Sequence, residues 1–418
     1  MKVLLITYYW PPAGGSGVQR WLKFVKYLQD FGIEPVVYTV DSKRYPKEDS
    51  SLIHEVSKDI EILKQPIWEP TDVLFWKKNQ QKKGISNISK GGFLSFIRGN
   101  FFIPDPKIFW VKPSVKYLQK YLDKNKIDVI ISSGPPHSMH LIAQKLHKKN
   151  NIKWLADFRD PWSDLYYNKD FNQLSFSRKK NKNLEEAVLK NANGILTVSN
   201  SLKKEFSKIA NKVAVITNGF DDEVTEDEEV ILDTKFSISY IGLLPKQSNP
   251  KNLFAVLQKL CSENSAFKND LQLNFIGDIS NEVKIEIQSN SLEKNTNFIG
   301  YVDHKKAIAY QKKSQVLLLL IPNVANNKGI LTGKLFEYLT AKRPILAIGP
   351  EEGDLATILQ DTNAGTISNY KNIEILASEV RELYSKFKQG NLVVNSRNIQ
   401  KYHRKELTKQ LAELIKKL

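Results

Sequence analysis

Short apolar runs alternate with amphipathic stretches along this chain. In the first half, residues 3–7, 35–40, 128–132, 152–156, 195–198 and 213–217 read as buried strands. Between them, the stretch 18–28 puts Val18, Trp21, Leu22, Val25 and Leu28 on one helical face, with Gly32 as its stop. A second series opens at Phe236-Ser237-Ile238-Ser239-Tyr240-Ile241-Gly242 and continues through 271–277, 298–301, 316–321 and 344–348. Strands alternating with helices predict an α/β fold with doubly wound parallel sheets. Two series predict two Rossmann-like lobes, 1–220 and 235–400, joined by the acidic stretch 221–234 as an exposed linker. A final helix, 406–418, is expected to cross back to the first lobe.

Length supports this division, because 418 residues exceed one ordinary α/β core. A hydrophobic share of 41% with 26% charged residues is that of a globular protein rather than a disordered or membrane-embedded one. One cysteine, Cys261, excludes an intramolecular disulfide framework and any multi-cysteine metal site, and it points to a reducing compartment such as the cytoplasm. The longest apolar run, 316–322, is too short to cross a bilayer. The N-terminal apolar stretch ends at Pro11-Pro12 and reads as a first strand, not a signal peptide.

Two regions carry candidate chemistry. The first strand runs into Tyr8-Tyr9-Trp10-Pro11-Pro12-Ala13-Gly14-Gly15-Ser16-Gly17, directly before a helix. Glycines let a backbone approach an anion, and a helix N-terminus offers unpaired N–H groups. This loop also has two of the three glycines of a dinucleotide-binding fingerprint, with Arg20 in the third place and Asp41 as a possible ribose-binding acid. The Pro-Pro insertion argues against that reading; a loop that is glycine-rich only to turn remains open. The second region is Thr332-Gly333-Lys334-Leu335-Phe336-Glu337-Tyr338-Leu339, where Thr332 is a good N-cap and Lys334 and Glu337 share a helical face. A cation beside helix N–H groups suits a diphosphate, and a carboxylate suits paired ribose hydroxyls. A plain surface ion pair is the alternative.

Together with Thr197-Val198-Ser199, Asn218-Gly219-Phe220-Asp221, Gly242 and Pro344-Ile345-Leu346-Ala347, these motifs resemble family-four retaining glycosyltransferases of the GT-B fold, the group 1 glycosyltransferases. The resemblance covers nearly the whole chain, and Gly333 to Leu339 is its most specific part. A subgroup is also similar through Ser133-Gly134-Pro135-Pro136-His137-Ser138 and Asp157-Phe158-Arg159-Asp160-Pro161-Trp162. It implies nucleotide-sugar binding in the C-terminal lobe, acceptor binding in the N-terminal lobe and chemistry in the cleft between them. Glu337 matches the second glutamate of the family's E-x7-E motif, which contacts the donor ribose. The first glutamate falls at Gly329; the arginine after the second lobe's first glycine falls at Leu243, and the family's lysine near Asn249. Lys246, Lys251 or Lys334 then supply that charge.

The histidine closing an N-lobe strand in many relatives aligns with Arg159. The catalytic candidates are therefore Asp160, Arg159, Asp157 and His137. Asp157 to Asp160 can equally be a buried ion pair that stabilises its loop, and His137 either binds a sugar hydroxyl or is structural. The donor-binding candidates are Gly15, Ser16, Gly17, Gly242, Lys246, Lys251, Gly277, Tyr301, Thr332, Gly333, Lys334 and Glu337. No metal site and no cofactor are expected, only a UDP- or GDP-linked sugar as co-substrate. By the resemblance, the leaving phosphate helps to deprotonate the acceptor while the anomeric configuration is retained. A nucleotide-sugar epimerase and a non-catalytic scaffold share this fold.

The formal net charge of +17 invites an anionic partner. From 73 to 104 there is no acidic residue, while Lys77, Lys78, Lys82, Lys83, Lys90 and Arg98 alternate with Phe75, Trp76, Phe93, Phe96, Phe101 and Phe102. Basic groups attract anionic head groups and aromatic rings settle at the interface. Nucleic-acid surfaces use similar ingredients, but no nucleic-acid motif accompanies them, and a solvated basic loop is the third reading. A membrane surface at the cytoplasmic face is the expected partner.

Overall fold

The computed structural model describes residues 1–41, 45, 48–68, 93–163, 173–221 and 230–418. It divides into two compact units: Met1–Thr217 with Arg404–Leu418, and Asn218–His403. Most of the basic aromatic stretch (residues 73–92) and most of the acidic stretch (222–229) lie outside the described residues.

In the first unit the strands are β1 (Lys2–Ile6), β2 (Glu34–Val40), β3 (Glu61–Gln65), β4 (Val129–Gly134), β5 (Lys153–Phe158), β6 (Gly194–Thr197) and β7 (Val213–Val215). They form one sheet in the order β3-β2-β1-β4-β5-β6-β7, every pair parallel. Strand order reverses between β1 and β4, so the loops leaving their C-terminal ends diverge there and leave a crevice, the usual ligand position in such sheets.

The Ser16–Leu28 helix covers one face of this sheet, and its residues 18 and 20–25 are all buried. One apolar stripe does not explain this enclosure. The Arg404–Lys416 helix supplies the second contact: Leu407, Leu411, Ala412 and Ile415 join Val18, Trp21, Leu22 and Val25 in one cluster. Arg404 donates to Gln19 Oε1 at 3.2 Å and Lys416 to the Phe31 carbonyl at 2.9 Å.

The second unit holds β8 (Phe236–Ile241), β9 (Leu271–Ile276), β10 (Thr296–Gly300), β11 (Val316–Leu320), β12 (Ile345–Ile348) and β13 (Gly365–Ser368). Their order is β10-β9-β8-β11-β12-β13, again all parallel, with the reversal between β8 and β11. The two sheets are the doubly wound, Rossmann-like lobes expected of the α/β fold. All residues of β8, β11 and β12 are buried, as strands covered on both faces must be.

Candidate functional site

In the second unit the reversal brings together the loop after β8, the loop after β9 and the N-terminus of the Gly333–Thr340 helix. Gly242 and Gly277 have φ of +114° and +120°, and a Cβ on Gly277 would lie 2.6 Å from the Gly242 carbonyl oxygen. Only glycine permits this backbone-on-backbone approach. A Cβ on Gly242 would in turn lie 2.7 Å from Cε of Lys334, so the same glycine makes room for that side chain.

The helix forms because Leu335, Phe336, Tyr338 and Leu339 all enter the core, and Tyr338 Oη accepts the Ile241 N–H at 3.1 Å. Thr332 is its N-cap but makes no capping bond; its Oγ1 is buried without a hydrogen-bond partner among the described residues. A Cβ on Gly333 would meet nothing within 4 Å, and the first turn holds no acidic residue. That end of the helix is therefore open, with its positive potential uncompensated from within the turn.

Lys334 and Glu337 do not pair as a surface i, i+3 couple. Lys334 Nζ sits 3.8 Å above the Tyr240 ring and donates to Tyr240 Oη at 2.5 Å. Burial pushes its pKa down to about 7, against the opposing effect of Glu337. The Glu337 carboxylate accepts from Gln311 Nε2 at 3.0 Å and approaches His304 Nε2 at 3.4 Å, while its side chain remains 38% exposed. It can accept further donors from solvent or ligand.

The other candidates of this unit divide. Lys251 is committed to Glu286 at 3.3 Å on an exposed surface. Lys246 is exposed at the start of a short turn, Lys246–Ser248, whose last residue is buried. Tyr301 follows the end of β10 and is 75% exposed. Gly329 closes the Asn327–Gly329 turn, next to Lys328, which pairs with Glu352 at 2.8 Å.

In the first unit, the loops after β1, β4 and β5 converge through Arg159. Its guanidinium donates to the carbonyls of Gly17 at 2.8 Å, Gly134 at 3.2 Å and Pro135. A Cβ on Gly17 would lie 2.7 Å from this guanidinium. Gly15, with φ +100°, is the N-cap of the helix that Ser16 opens. Arg159, itself on the loop after β5, thus holds the other two segments by their backbones.

Asp157 lies in the interior of the first unit. It is fully buried and accepts from Arg20 Nη2 at 3.1 Å, Arg20 Nε at 3.4 Å, Trp21 Nε1 at 2.7 Å and Ser133 Oγ at 2.8 Å. These bonds tie the helix after β1 to the ends of β4 and β5. Its salt-bridge partner is Arg20 and not its near neighbour Arg159. Asp160, by contrast, is exposed; the surrounding loops push its carboxyl upward, Arg159 pulls it back, and solvent screens both.

His137 is 5% exposed and lies on Trp162, with ring centroids 4.7 Å apart and planes at 8°. Both of its ring nitrogens lack a hydrogen-bond partner among the described residues. Behind it His140 stacks on Phe158 and shares a 2.8 Å hydrogen bond with Ser132. Burial drives the pKa of His137 well down and that of His140 to about 3, so both rings are neutral near pH 7. His140, Trp162, Arg20 and Tyr240 were not among the sequence candidates. The signal for Tyr240 was present, since Phe236, Ile238 and Tyr240 alternate toward one face and Gly242 follows.

Asp105, also missed, bonds the Ser138 N–H at 2.9 Å and Oγ at 2.8 Å. It thereby occupies the N-terminus of the Ser138–Asn150 helix, so that end is not free for an anion.

Comparison with known proteins gives two consecutive family matches: the model described as Glycosyltransferase Family 4 over residues 15–224, and that described as Glycosyl transferases group 1 over 221–405. No curated protein is significantly similar in sequence. Among solved structures, the apo lipopolysaccharide outer core galactosyltransferase WaaB is 15% identical, with TM-score 0.60 and full coverage of both chains. The S. aureus TarM complex with fondaparinux, α-GlcNAc-glycerol and UDP is 11% identical, with TM-score 0.60 and 99% of each chain covered. A UDP-N-acetylglucosamine 2-epimerase, described as putative, from Listeria monocytogenes is 11% identical at TM-score 0.57, covering 99% of this chain and 95% of its own. Identities this low establish a shared two-lobed fold only.

Proposed function

Because this chain belongs to glycosyltransferase family 4, we propose that it moves a sugar from a UDP- or GDP-linked donor to a glycan or lipid-linked acceptor, with retention, in cell-surface polysaccharide or glycolipid synthesis. The observation that carries this reading is Lys334, folded against Gly242 at the open N-terminus of the Gly333–Thr340 helix. Negative charge grows on the diphosphate as its bond to the sugar breaks, and a lysine beside helix N–H groups stabilises it. Positive charge at that point supports transfer without a bound metal. Glu337, partly exposed on the next turn, suits the paired hydroxyls of the donor ribose. TarM, a structure of the same fold, is described with UDP bound.

The first unit is assigned the acceptor. His137 has two ring nitrogens without a partner among the described residues, which suit a sugar hydroxyl, and Asp160 offers an exposed carboxylate on the loop after β5. Arg159, Arg20 and Asp157 hold the loops in which both sit. The leaving phosphate is the base that takes the acceptor proton.

An anionic membrane surface is the proposed location of the acceptor, at the cytoplasmic face. No described helix is long and apolar enough to cross a membrane. Trp68, Phe101, Phe109 and Phe176 are exposed at 59%, 62%, 41% and 54%, a cost in water that interfacial insertion would relieve.

The fold likeness to an epimerase leaves a second reading, in which the same diphosphate site serves donor epimerisation. Both family matches favour transfer. Thermal shift with a panel of UDP- and GDP-sugars tests the donor site, because a ligand that binds the native state raises its stability. A rise in melting temperature with a subset of the panel is expected, and no rise with any member would overturn the donor assignment.

A further inference from the structure

Lys334 is held by a ring, not by a carboxylate. Its ammonium lies 3.8 Å above the Tyr240 centroid and 2.5 Å from the phenolic oxygen. Tyr240 is 4% exposed and packed in the second unit's core, and its hydroxyl donates to the Leu243 carbonyl at 2.8 Å. We propose that Tyr240 is a positioning residue for the donor diphosphate: it fixes the Lys334 ammonium against the Gly242 backbone while leaving its charge unneutralised. This rests on the assignment of the donor to the second unit.

The physical argument has two parts. A free lysine side chain loses rotamer entropy when it clamps a phosphate, and a ring that already holds the ammonium removes part of that cost. A carboxylate in the ring's place would compete with the diphosphate for the same cation. The Tyr240 hydroxyl does not compete, because burial raises its pKa and keeps it neutral. Among the described residues, the charged group that acts on Lys334 is Glu337 on its own helix, whose carboxylate is engaged by Gln311 and His304. Tyr338, the other ionisable group of that helix turn, is also kept neutral by burial.

A proton linkage follows. Burial beside Tyr240 pushes the Lys334 pKa down to about 7. The diphosphate prefers the ammonium, so donor binding takes up a proton above that pH and weakens as pH rises through it. The sign is that of a group depressed by burial and restored by an anion.

The test is calorimetric titration with UDP-glucose and GDP-mannose, whose diphosphates carry no group titrating between about pH 6 and 8.5. Two buffers of different ionisation enthalpy report the proton count. Wild type should take up protons at about pH 8 and lose affinity by up to about tenfold per pH unit above 7. Tyr240→Leu exposes Lys334 to water: donor Kd should rise about threefold to tenfold at low pH, and the pH midpoint should move up. Tyr240→Phe keeps the ring and the fold but removes the oxygen acceptor. It should stay within about threefold of wild type at low pH, with a midpoint moved down. If the Leu variant fails to fold, the downward shift in the Phe variant carries the test alone. Wild-type midpoints in every folded variant overturn the role of Tyr240. Unchanged affinity in Lys334→Ala, or no binding of either compound to wild type, overturns instead the donor assignment on which it rests.

Discussion

Arg20 and Asp157, 137 positions apart, meet at 3.1 Å with side chains 1% and 0% exposed. The pair joins the helix after β1 to the end of β5, and Trp21 and Ser133 complete the carboxylate's shell. Removing one partner strands the other charge out of water. Asp157→Ala or Arg20→Ala should therefore cost the first unit about 3–5 kcal/mol. All tryptophans of the chain (Trp10, Trp21, Trp68, Trp76, Trp110, Trp154 and Trp162) belong to the first unit's span. Urea unfolding followed by tryptophan fluorescence thus reads this unit alone, and an unchanged midpoint would contradict the shell.

Acid should weaken the same unit through its buried histidines. His137 and His140 are buried neutral, with folded pKa values below the unfolded 6.5. Between 6.5 and about 3 the unfolded chain binds more protons, so stability falls with pH across that window. By pH 5 each such histidine costs about 2 kcal/mol. The fluorescence midpoint should drop between pH 7.5 and 5, and His140→Phe should lose roughly half of that drop. A pH-independent midpoint would mean that the histidines are hydrated.

How far these relationships were legible depends on range. Period-two and period-3.6 patterns located the buried strands and the Ser16–Leu28 helix, because burial on a face writes itself into local sequence. The strands that escaped, β3 and β13, lie at sheet edges. Paired on one side only, they tolerate Glu61, Lys64 and Gln65, or Gly365, and lose the apolar signature. Arg20 reads locally only as the residue in the third glycine place of a fingerprint, since nothing nearby announces Asp157. Lys334 and Glu337 read as a pair on spacing alone, and tertiary contacts from β8 and the His304–Lys313 helix separate them.

Donor affinity should depend on both. Lys334→Ala removes a cation and Glu337→Ala a hydrogen-bonding carboxylate, each worth about 1.5–3 kcal/mol toward a charged or polyol ligand. Calorimetry with the bound nucleotide sugar should show Kd raised about tenfold to a hundredfold, with melting unimpaired. Equal affinities would remove this helix from the donor site.

Binding to membranes should be electrostatic and reversible. Lysines near an anionic surface contribute about 1 kcal/mol each. Replacing Lys77, Lys78, Lys82 and Lys83 with glutamine should reduce flotation with anionic vesicles at low salt and leave neutral vesicles unaffected. Flotation equal to wild type would make this stretch a solvated loop.

Transfer itself is the most direct measurement. The purified chain, given a nucleotide sugar labelled in the sugar and a lipid-linked or glycan acceptor in excess chelator, should move label to the acceptor and release an equal amount of nucleoside diphosphate. Lys334→Ala and Glu337→Ala should lower both together. Label that stays on the nucleotide, unchanged or epimerised, would contradict glycosyl transfer; activity that returns only with added magnesium or manganese would contradict its metal-free form.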